Sequence, residues 1–183
     1  MAVELVDASQ APLLARPYYG QGDPGPIVAA LAQVPELLEV AMPFIGVALG
    51  PSAVPWRTKE IVILRTSALL ECRYCVQSHT PVALDAGLSR AEVEALRGAT
   101  SAAGAFTDEA ERTLIHWIDA VAGGTGTVPP AVNAALHEHY GDSEVVELTM
   151  VVGVTLLLNR FCTTLELPTS PDVLARLEDE GLA

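Results

Sequence analysis

The chain is a succession of short helix-forming segments, and the signals that begin and end them restrict its fold more than any other feature. Ser89 and Glu92 have the spacing of a capping box, and Thr107 can cap another segment. Gly87 and Gly98 follow segments in the manner of helix-ending glycines. No stretch of the 183 residues shows sustained alternation of polar and apolar side chains. The sequence therefore predicts an all-α protein, built as a helical bundle.

Two regions of the chain differ in composition. Residues 1–26 contain four prolines and three glycines, which favours an extended arm. Half of all residues are hydrophobic, so residues 27–183 have enough apolar side chains for the core of one domain. We therefore expect an extended N-terminal arm over residues 1–26, followed by a single all-helical domain over residues 27–183.

Charge and apolar patterning narrow the range of partners. The formal net charge of −13 repels phosphate backbones and argues against nucleic-acid binding. The longest strongly apolar stretch, Leu148 to Leu158, has 11 residues, which is too short to span a bilayer. Residues 1–10 lack the features of a secretory signal, and a secreted disulfide framework would not leave an odd number of cysteines, here three. These features predict a cytoplasmic protein without membrane or nucleic-acid partners.

Cys72, Cys75 and His79 form the motif with the clearest chemistry. In a helix, residues three and four apart share a face, so both sulfurs and the imidazole would lie together. The imidazole can accept a thiol proton, and a thiolate attacks a peroxide or a disulfide. The second thiol can then close a disulfide bond. The spacing therefore predicts a redox-active dithiol site with its own base.

Glu60 is the candidate acceptor for the proton of His79. In one straight helix it would lie roughly 18 Å from Cys72, 12 residues later in the chain. A break near Glu71 would fold the Glu60 segment back onto the motif. Glu71 is the rival carboxylate, but we expect it to face solvent because it stands beside Cys72.

Two structural interpretations of the cysteines stay open on the residues alone. Cys72, Cys75 and His79 could be three ligands of a metal, with Cys162 or another histidine as the fourth. The chain has no second C-x-x-C pair, which weakens this hypothesis, and we predict no metal. The cysteines could also be incidental core residues. Cys162 has Asn159 in place of a second cysteine, so we expect it to be a core residue.

The pattern Glu60-x11-Cys72-x2-Cys75-x3-His79 resembles the signature of the AhpD-like alkyl hydroperoxidases, within the carboxymuconolactone decarboxylase superfamily. The strong match covers about residues 57–98, and it includes the Cys-x-Tyr-Cys run and the Ala-Gly-Leu-Ser end of the following segment.

This resemblance implies an AhpD-like helical bundle, often a duplicated helical unit, assembled into trimers or hexamers. It implies that Cys75 attacks a small peroxide, that Cys72 resolves the product, and that His79 and Glu60 relay protons, without a cofactor. It also implies reduction by a dithiol or a lipoyl-bearing protein, or service to a peroxiredoxin partner. An offset of 87 residues, which aligns Cys75 with Cys162, is a candidate duplication.

Three functions follow as hypotheses. The first is a thiol-dependent peroxidase or dithiol oxidoreductase. The second is a lactone enzyme like the carboxymuconolactone decarboxylases, which would use His79 or Glu60 for proton transfer and would not need both cysteines. The third is a non-catalytic redox sensor that uses the disulfide as a structural switch.

Overall fold

The computed structural model describes residues 2–98 and 102–183, and these residues form helices and loops without a β-strand. The prediction of an all-α helical bundle is thereby confirmed. Two short 3₁₀ turns, Arg16–Tyr19 and Ala103–Ala105, accompany the α-helices. In chain order the α-helices are α1 (Pro26–Leu31), α2 (Pro35–Leu49), α3 (Trp56–Leu69), α4 (Arg73–Asp85), α5 (Arg90–Arg97), α6 (Glu109–Gly123), α7 (Pro130–His137), α8 (Asp142–Thr164) and α9 (Pro171–Asp179).

The helix boundaries mostly follow the signals in the sequence. The capping box of α5 is formed, with Ser89 and Glu92 each accepting the backbone N–H of the other. At α6 the N-cap is Asp108 rather than Thr107, because the Asp108 carboxylate accepts two backbone N–H groups of the first turn. A charged acceptor at this position also interacts favourably with the helix dipole.

Helix α3 is the centre of the bundle and packs against α4, α5, α6 and α8. Its residues 58–67 are all buried, although three of them are charged. Lys59 is paired with Glu147 on α8, Glu60 with His79 on α4, and Arg65 with Asp119 on α6. Buried charges are costly unless they are paired. These three contacts therefore hold α3 in one rotation about its axis.

The chain reverses between α3 and α4 at Glu71. This residue has φ 54°, in the left-handed region, and Cys72 N–H donates to the Ser67 carbonyl at 3.0 Å across the turn. A left-handed conformation at a residue other than glycine costs about 1 kcal/mol. The turn folds α4 back along α3, so the expected break near Glu71 is present.

A second turn has the same backbone geometry. Glu166, after α8, has φ 53°, and Leu167 N–H donates to the Cys162 carbonyl at 3.0 Å. The two left-handed residues are 95 positions apart. The offset of 87 instead aligns Cys72, at the end of a turn, with Asn159, in the interior of the continuous helix α8. The two turns therefore do not correspond to each other at the offset of 87.

Helix α8 is long and apolar enough to cross a membrane by length and composition, but 44% of its apolar window is buried inside the structure. It contacts α2, α3, α4, α6 and α7. The apolar stretch Leu148 to Leu158 lies within it, with one buried face and an outer face that includes the exposed Leu157. The packing is that of a core helix with one uncovered side.

The described part of the N-terminal arm packs on its own domain. Ala2 N–H donates to the Leu165 carbonyl and Val6 N–H donates to the Ala29 carbonyl, both at 3.1 Å. Val3 and Leu5 contact the buried cluster that contains the cysteines. The arm therefore covers one side of the motif.

Lys59 provides a test of the buried charges. Its Nζ lies 2.7 Å from Glu147 and donates to the Ala48 and Gly50 carbonyls at the end of α2. We expect Lys59→Met to lower the free energy of unfolding by about 2–3 kcal/mol, because three acceptors lose their donor. Urea unfolding followed by circular dichroism measures this change. Glu94→Gln, in an exposed ion pair, is the control and should change stability by less than about 0.5 kcal/mol. Equal stability of the Lys59 variant and the parent would contradict the argument.

Candidate active site

The two sulfurs of the motif meet at the start of α4. Cys72 is the N-cap residue, and its sulfur accepts the backbone N–H of Cys75 at 3.4 Å. The Cys75 sulfur, in the first turn, lies 2.6 Å from the Cys72 sulfur, and both cysteines are free thiols. A disulfide bond is about 2.05 Å long. Only a small movement therefore separates the dithiol from the disulfide.

His79 and Glu60 form a hydrogen-bonded pair beside the sulfurs. His79 Nδ1 is 2.9 Å from Glu60 Oε2. The Glu60 side chain is only 4% exposed, whereas that of His79 is 27% exposed. Glu71, the rival carboxylate, is exposed on the turn. The chain reversal thus brings Glu60 to the imidazole, and the second ring nitrogen, Nε2, is not used by this contact.

A cavity of about 30 Å³ gives access to the motif. Cys75 and His79 both line it, together with Ser67, Asn159 and apolar side chains from neighbouring helices. Cys72 is fully buried and does not line it. A cavity of this size accommodates a water-sized molecule. Cys75 is therefore the sulfur of the motif that a small oxidant meets first.

Asn159 is a polar residue of this cavity that was not predicted as a site residue. It is 1% exposed, and its Nδ2 donates to Ser67 Oγ at 3.0 Å. Its Oδ1 has no hydrogen-bond partner. The signal in the sequence is an asparagine that directly follows the apolar run Leu156 to Leu158. A buried acceptor that faces a cavity can bind the hydroxyl of a ligand.

Cys162 is buried, as expected of a core residue, but it lies against the redox pair. Its side chain belongs to the same buried cluster as Cys72 and Cys75. The reason is that the end of α8 packs over the turn between α3 and α4. The structure thus brings three thiols together where the sequence predicted two.

Hydrogen bonding among the three thiols shifts their pKa values in different directions. Hydrogen bonds from Cys162 and Cys75 lower the pKa of Cys72 to about 3, despite its burial. Cys162 lowers the pKa of Cys75, but hydrogen bonding to Cys72 and burial outweigh this effect and raise it to about 12. Hydrogen bonds to Cys72 and Cys75 raise the pKa of Cys162. These directions favour the thiolate on Cys72, at the helix N-terminus, where backbone N–H groups stabilise negative charge.

No group of three or more histidine, cysteine, aspartate or glutamate side chains is arranged to hold a metal ion within residues 2–98 and 102–183. His79 presents one ring nitrogen to Glu60 instead. The geometry of the motif is that of a thiol site with an adjacent acid–base pair.

Comparison with known families agrees with this geometry. Residues 35–120 match the model of the carboxymuconolactone decarboxylase family. The matched segment extends from the start of α2 into α6 and contains Glu60, Cys72, Cys75 and His79. No curated protein sequence matches the chain.

Solved structures share the fold. A peroxidase-related protein from Ralstonia eutropha, described as an alkylhydroperoxidase AhpD core, has a TM-score of 0.81 at 16% identity, over 94% of this chain and 93% of that chain. A putative antioxidant defence protein AhpD from Agrobacterium tumefaciens has a TM-score of 0.68 at 24% identity, over 77% and 95%. The debrominase Bmp8, as a variant in complex with 2,3,4-tribromopyrrole, has a TM-score of 0.78 at 17% identity, over 98% and 97%.

At these identities the likeness to solved structures establishes the fold. The chain thus has an AhpD-like fold, and its residues 35–120 are similar to the carboxymuconolactone decarboxylase family.

Proposed function

We propose that the protein is a thiol-dependent peroxidase, in which Cys75 and Cys72 reduce a small hydroperoxide. The observation that carries this proposal is the shared cavity. It is lined by the Cys75 sulfur and by His79, which Glu60 holds, while the Cys72 sulfur lies 2.6 Å behind. Nucleophile, resolving thiol and acid–base pair are thus adjacent.

The first half of the reaction begins with a proton. Cys75 carries one in the resting site, and His79 accepts it. The Cys75 thiolate then attacks the outer oxygen of the hydroperoxide, and the O–O bond breaks. Cys75 becomes a sulfenic acid. The alkoxide takes a proton through His79 and leaves as an alcohol.

In the second half of the reaction the Cys72–Cys75 disulfide forms. The Cys72 thiolate attacks the Cys75 sulfur, the S–S bond forms and the S–O bond breaks. The hydroxide leaves as water with a proton relayed by His79. Two electrons have then passed from the thiols to the peroxide, and an external dithiol must return them. A lipoyl-bearing protein as that reductant, and a peroxiredoxin as a partner, are predictions from the resemblance.

The surroundings of the cavity suggest the shape of the substrate. Ile27 and Leu158 line both the cavity and a neighbouring apolar groove of about 510 Å³ between α1, α2 and α8. The hydroperoxide group would enter the cavity, and an alkyl tail would lie in the groove, where burial of apolar surface favours binding.

A lactone enzyme is the second candidate, because the matched family is that of the carboxymuconolactone decarboxylases. It would use the His79–Glu60 pair as acid and base. The two functions separate cleanly, since lactone chemistry would survive the combined substitution of Cys72→Ser and Cys75→Ser and peroxide reduction would not.

We also propose that the chain assembles into a homotrimer or homohexamer through the outer faces of α2 and α8. Leu37, Val40, Phe44 and Val47 form one exposed apolar stripe along α2, and Leu157 on α8 lines the same groove as Leu37. Exposed apolar surface of this kind marks an interaction site.

The assembly proposal predicts that Val47→Asp, at a position 79% exposed, lowers the assembled mass toward that of one chain. A charge placed in an apolar interface must be desolvated without a partner. Size-exclusion chromatography with light scattering measures the mass. An unchanged trimer or hexamer in this variant would exclude the α2 face, and a monomeric parent would end the proposal.

The two cysteines have different predicted phenotypes. Cys75→Ser should lower the rate of peroxide consumption by about a hundredfold or more, since the attacking sulfur is gone. Cys72→Ser should still react once with peroxide at Cys75, but the oxidised Cys75 can no longer form the Cys72–Cys75 disulfide. Stopped-flow oxidation, with mass spectrometry of the trapped product, distinguishes them. Sustained turnover by Cys75→Ser would contradict the assigned roles.

Glu60 can be compared with Glu71 as a matched control. Glu60→Gln removes the carboxylate that contacts His79 Nδ1 and orients the ring, so we expect peroxide oxidation to slow by about tenfold to a hundredfold at neutral pH. Glu71→Gln should react at the parental rate because this side chain is exposed. The rate of thiol alkylation against pH provides the second readout. If both variants follow the parental profile, Glu60 has no part in the mechanism.

A further inference from the structure

We propose that Cys162 is a third redox-active thiol. It replaces Cys75 in the disulfide with Cys72, and the new Cys72–Cys162 disulfide is then reduced through a second opening of the site. This inference rests on the proposed peroxidase function, and it concerns how the oxidised site is reduced. It assigns a reaction to a residue that the motif does not include.

The first observation is contact. Cys162 is 1% exposed and packs in one cluster with Cys72 and Cys75. Its thiol influences the pKa of both Cys72 and Cys75, so its sulfur lies near theirs. Thiol–disulfide exchange requires an attacking sulfur next to the disulfide, and this arrangement supplies one.

The second observation is that the cluster has two openings. The cavity of about 30 Å³ reaches Cys75 and His79. A separate pocket of about 190 Å³ reaches Cys162, and its rim includes the exposed residues Arg73 and Thr163. Tyr74 lines both and stands between them, whereas Cys72 lines neither. A peroxide fits the small cavity, but the dithiol arm of a reductant needs the larger pocket.

The exchange step relocates the disulfide bond without net oxidation or reduction of the three thiols. After oxidation the Cys72–Cys75 disulfide is present, and Cys162 attacks the Cys72 sulfur as a thiolate. The Cys72–Cys162 bond forms, the Cys72–Cys75 bond breaks, and Cys75 leaves as a thiolate. Cys75 then takes up the proton that Cys162 released. The cavity again contains a free Cys75 thiol, while the disulfide lies beside the pocket.

The charge distribution supports this order of events. In the reduced site, hydrogen bonding to Cys72 is the first of the causes that raise the pKa of Cys162. Oxidation removes the Cys72 charge, so Cys162 loses that cause and forms a thiolate more readily. An external dithiol then attacks the Cys162 sulfur, and Cys72 leaves.

The decisive experiment maps disulfides in the unmodified protein. The reduced protein is oxidised with one equivalent of hydrogen peroxide, free thiols are alkylated, and peptides are analysed by mass spectrometry without reduction. We expect a Cys72–Cys162 linkage besides the Cys72–Cys75 linkage. Alkylated Cys162 in every oxidised chain, or a Cys75–Cys162 linkage instead, would overturn the exchange step.

A parallel oxidation separates this inference from the peroxidase proposal. Oxidised dithiothreitol accepts electrons by disulfide exchange and needs no peroxide chemistry. If it produces the Cys72–Cys162 linkage while hydrogen peroxide is not consumed, the peroxidase function fails and the three-thiol exchange stands. If hydrogen peroxide is consumed and Cys162 never enters a disulfide, the peroxidase function stands and the inference fails.

Kinetics of the return step give a second measurement. Cys162→Ser keeps a hydroxyl donor toward Cys72 but cannot form a disulfide. Two rates are measured for each protein: oxidation by peroxide, and reduction of the oxidised form by dithiothreitol. We expect the ratio of the reduction rate to the oxidation rate to be about tenfold lower in Cys162→Ser than in the parent. Cys162→Ala is the comparison that also removes the donor. An unchanged ratio of reduction to oxidation rates in Cys162→Ser would contradict the proposal.

Discussion

The candidate site depends on one chain reversal, the left-handed turn at Glu71 between α3 and α4. The turn places Cys72 at a helix N-terminus, where unpaired backbone N–H groups stabilise a thiolate. It also returns α4 along α3, so that His79 meets a carboxylate 19 residues earlier in the chain. Without the reversal, Glu60 and the sulfurs would lie at opposite ends of one long helix. Strain of about 1 kcal/mol at Glu71 is thus part of what assembles the site.

The central helix explains why this arrangement is held so firmly. α3 is buried along most of its length, yet it carries Lys59, Glu60 and Arg65, and each needs a partner on a different neighbour. A rotation or slip of α3 would leave charges unpaired in the core, at a cost of several kcal/mol. The same contacts that fix the helix therefore also fix the carboxylate against His79. Structural stability and the orientation of the acid–base pair have a common origin.

The thiol cluster is an electrostatic unit rather than a pair of independent cysteines. Charge on Cys72 is favoured by two thiol donors, and it raises the pKa of each donor in turn. This coupling means that titration of the site reports the cluster and not a single residue. It also includes Cys162, which the local sequence marks only as a core residue.

The sequence by itself determined the all-α class, most helix boundaries, and the presence of Cys72, Cys75 and His79 on one helical segment. These features depend on caps, glycines and spacings within a few residues, and such local signals can be identified without knowledge of the tertiary structure. It also singled out Glu60, on the condition of a break near Glu71. Only the tertiary structure decided that Cys162 and Asn159 reach the site, because both come from α8, far along the chain. Contacts at that separation arise from helix packing, which no periodicity within the sequence encodes.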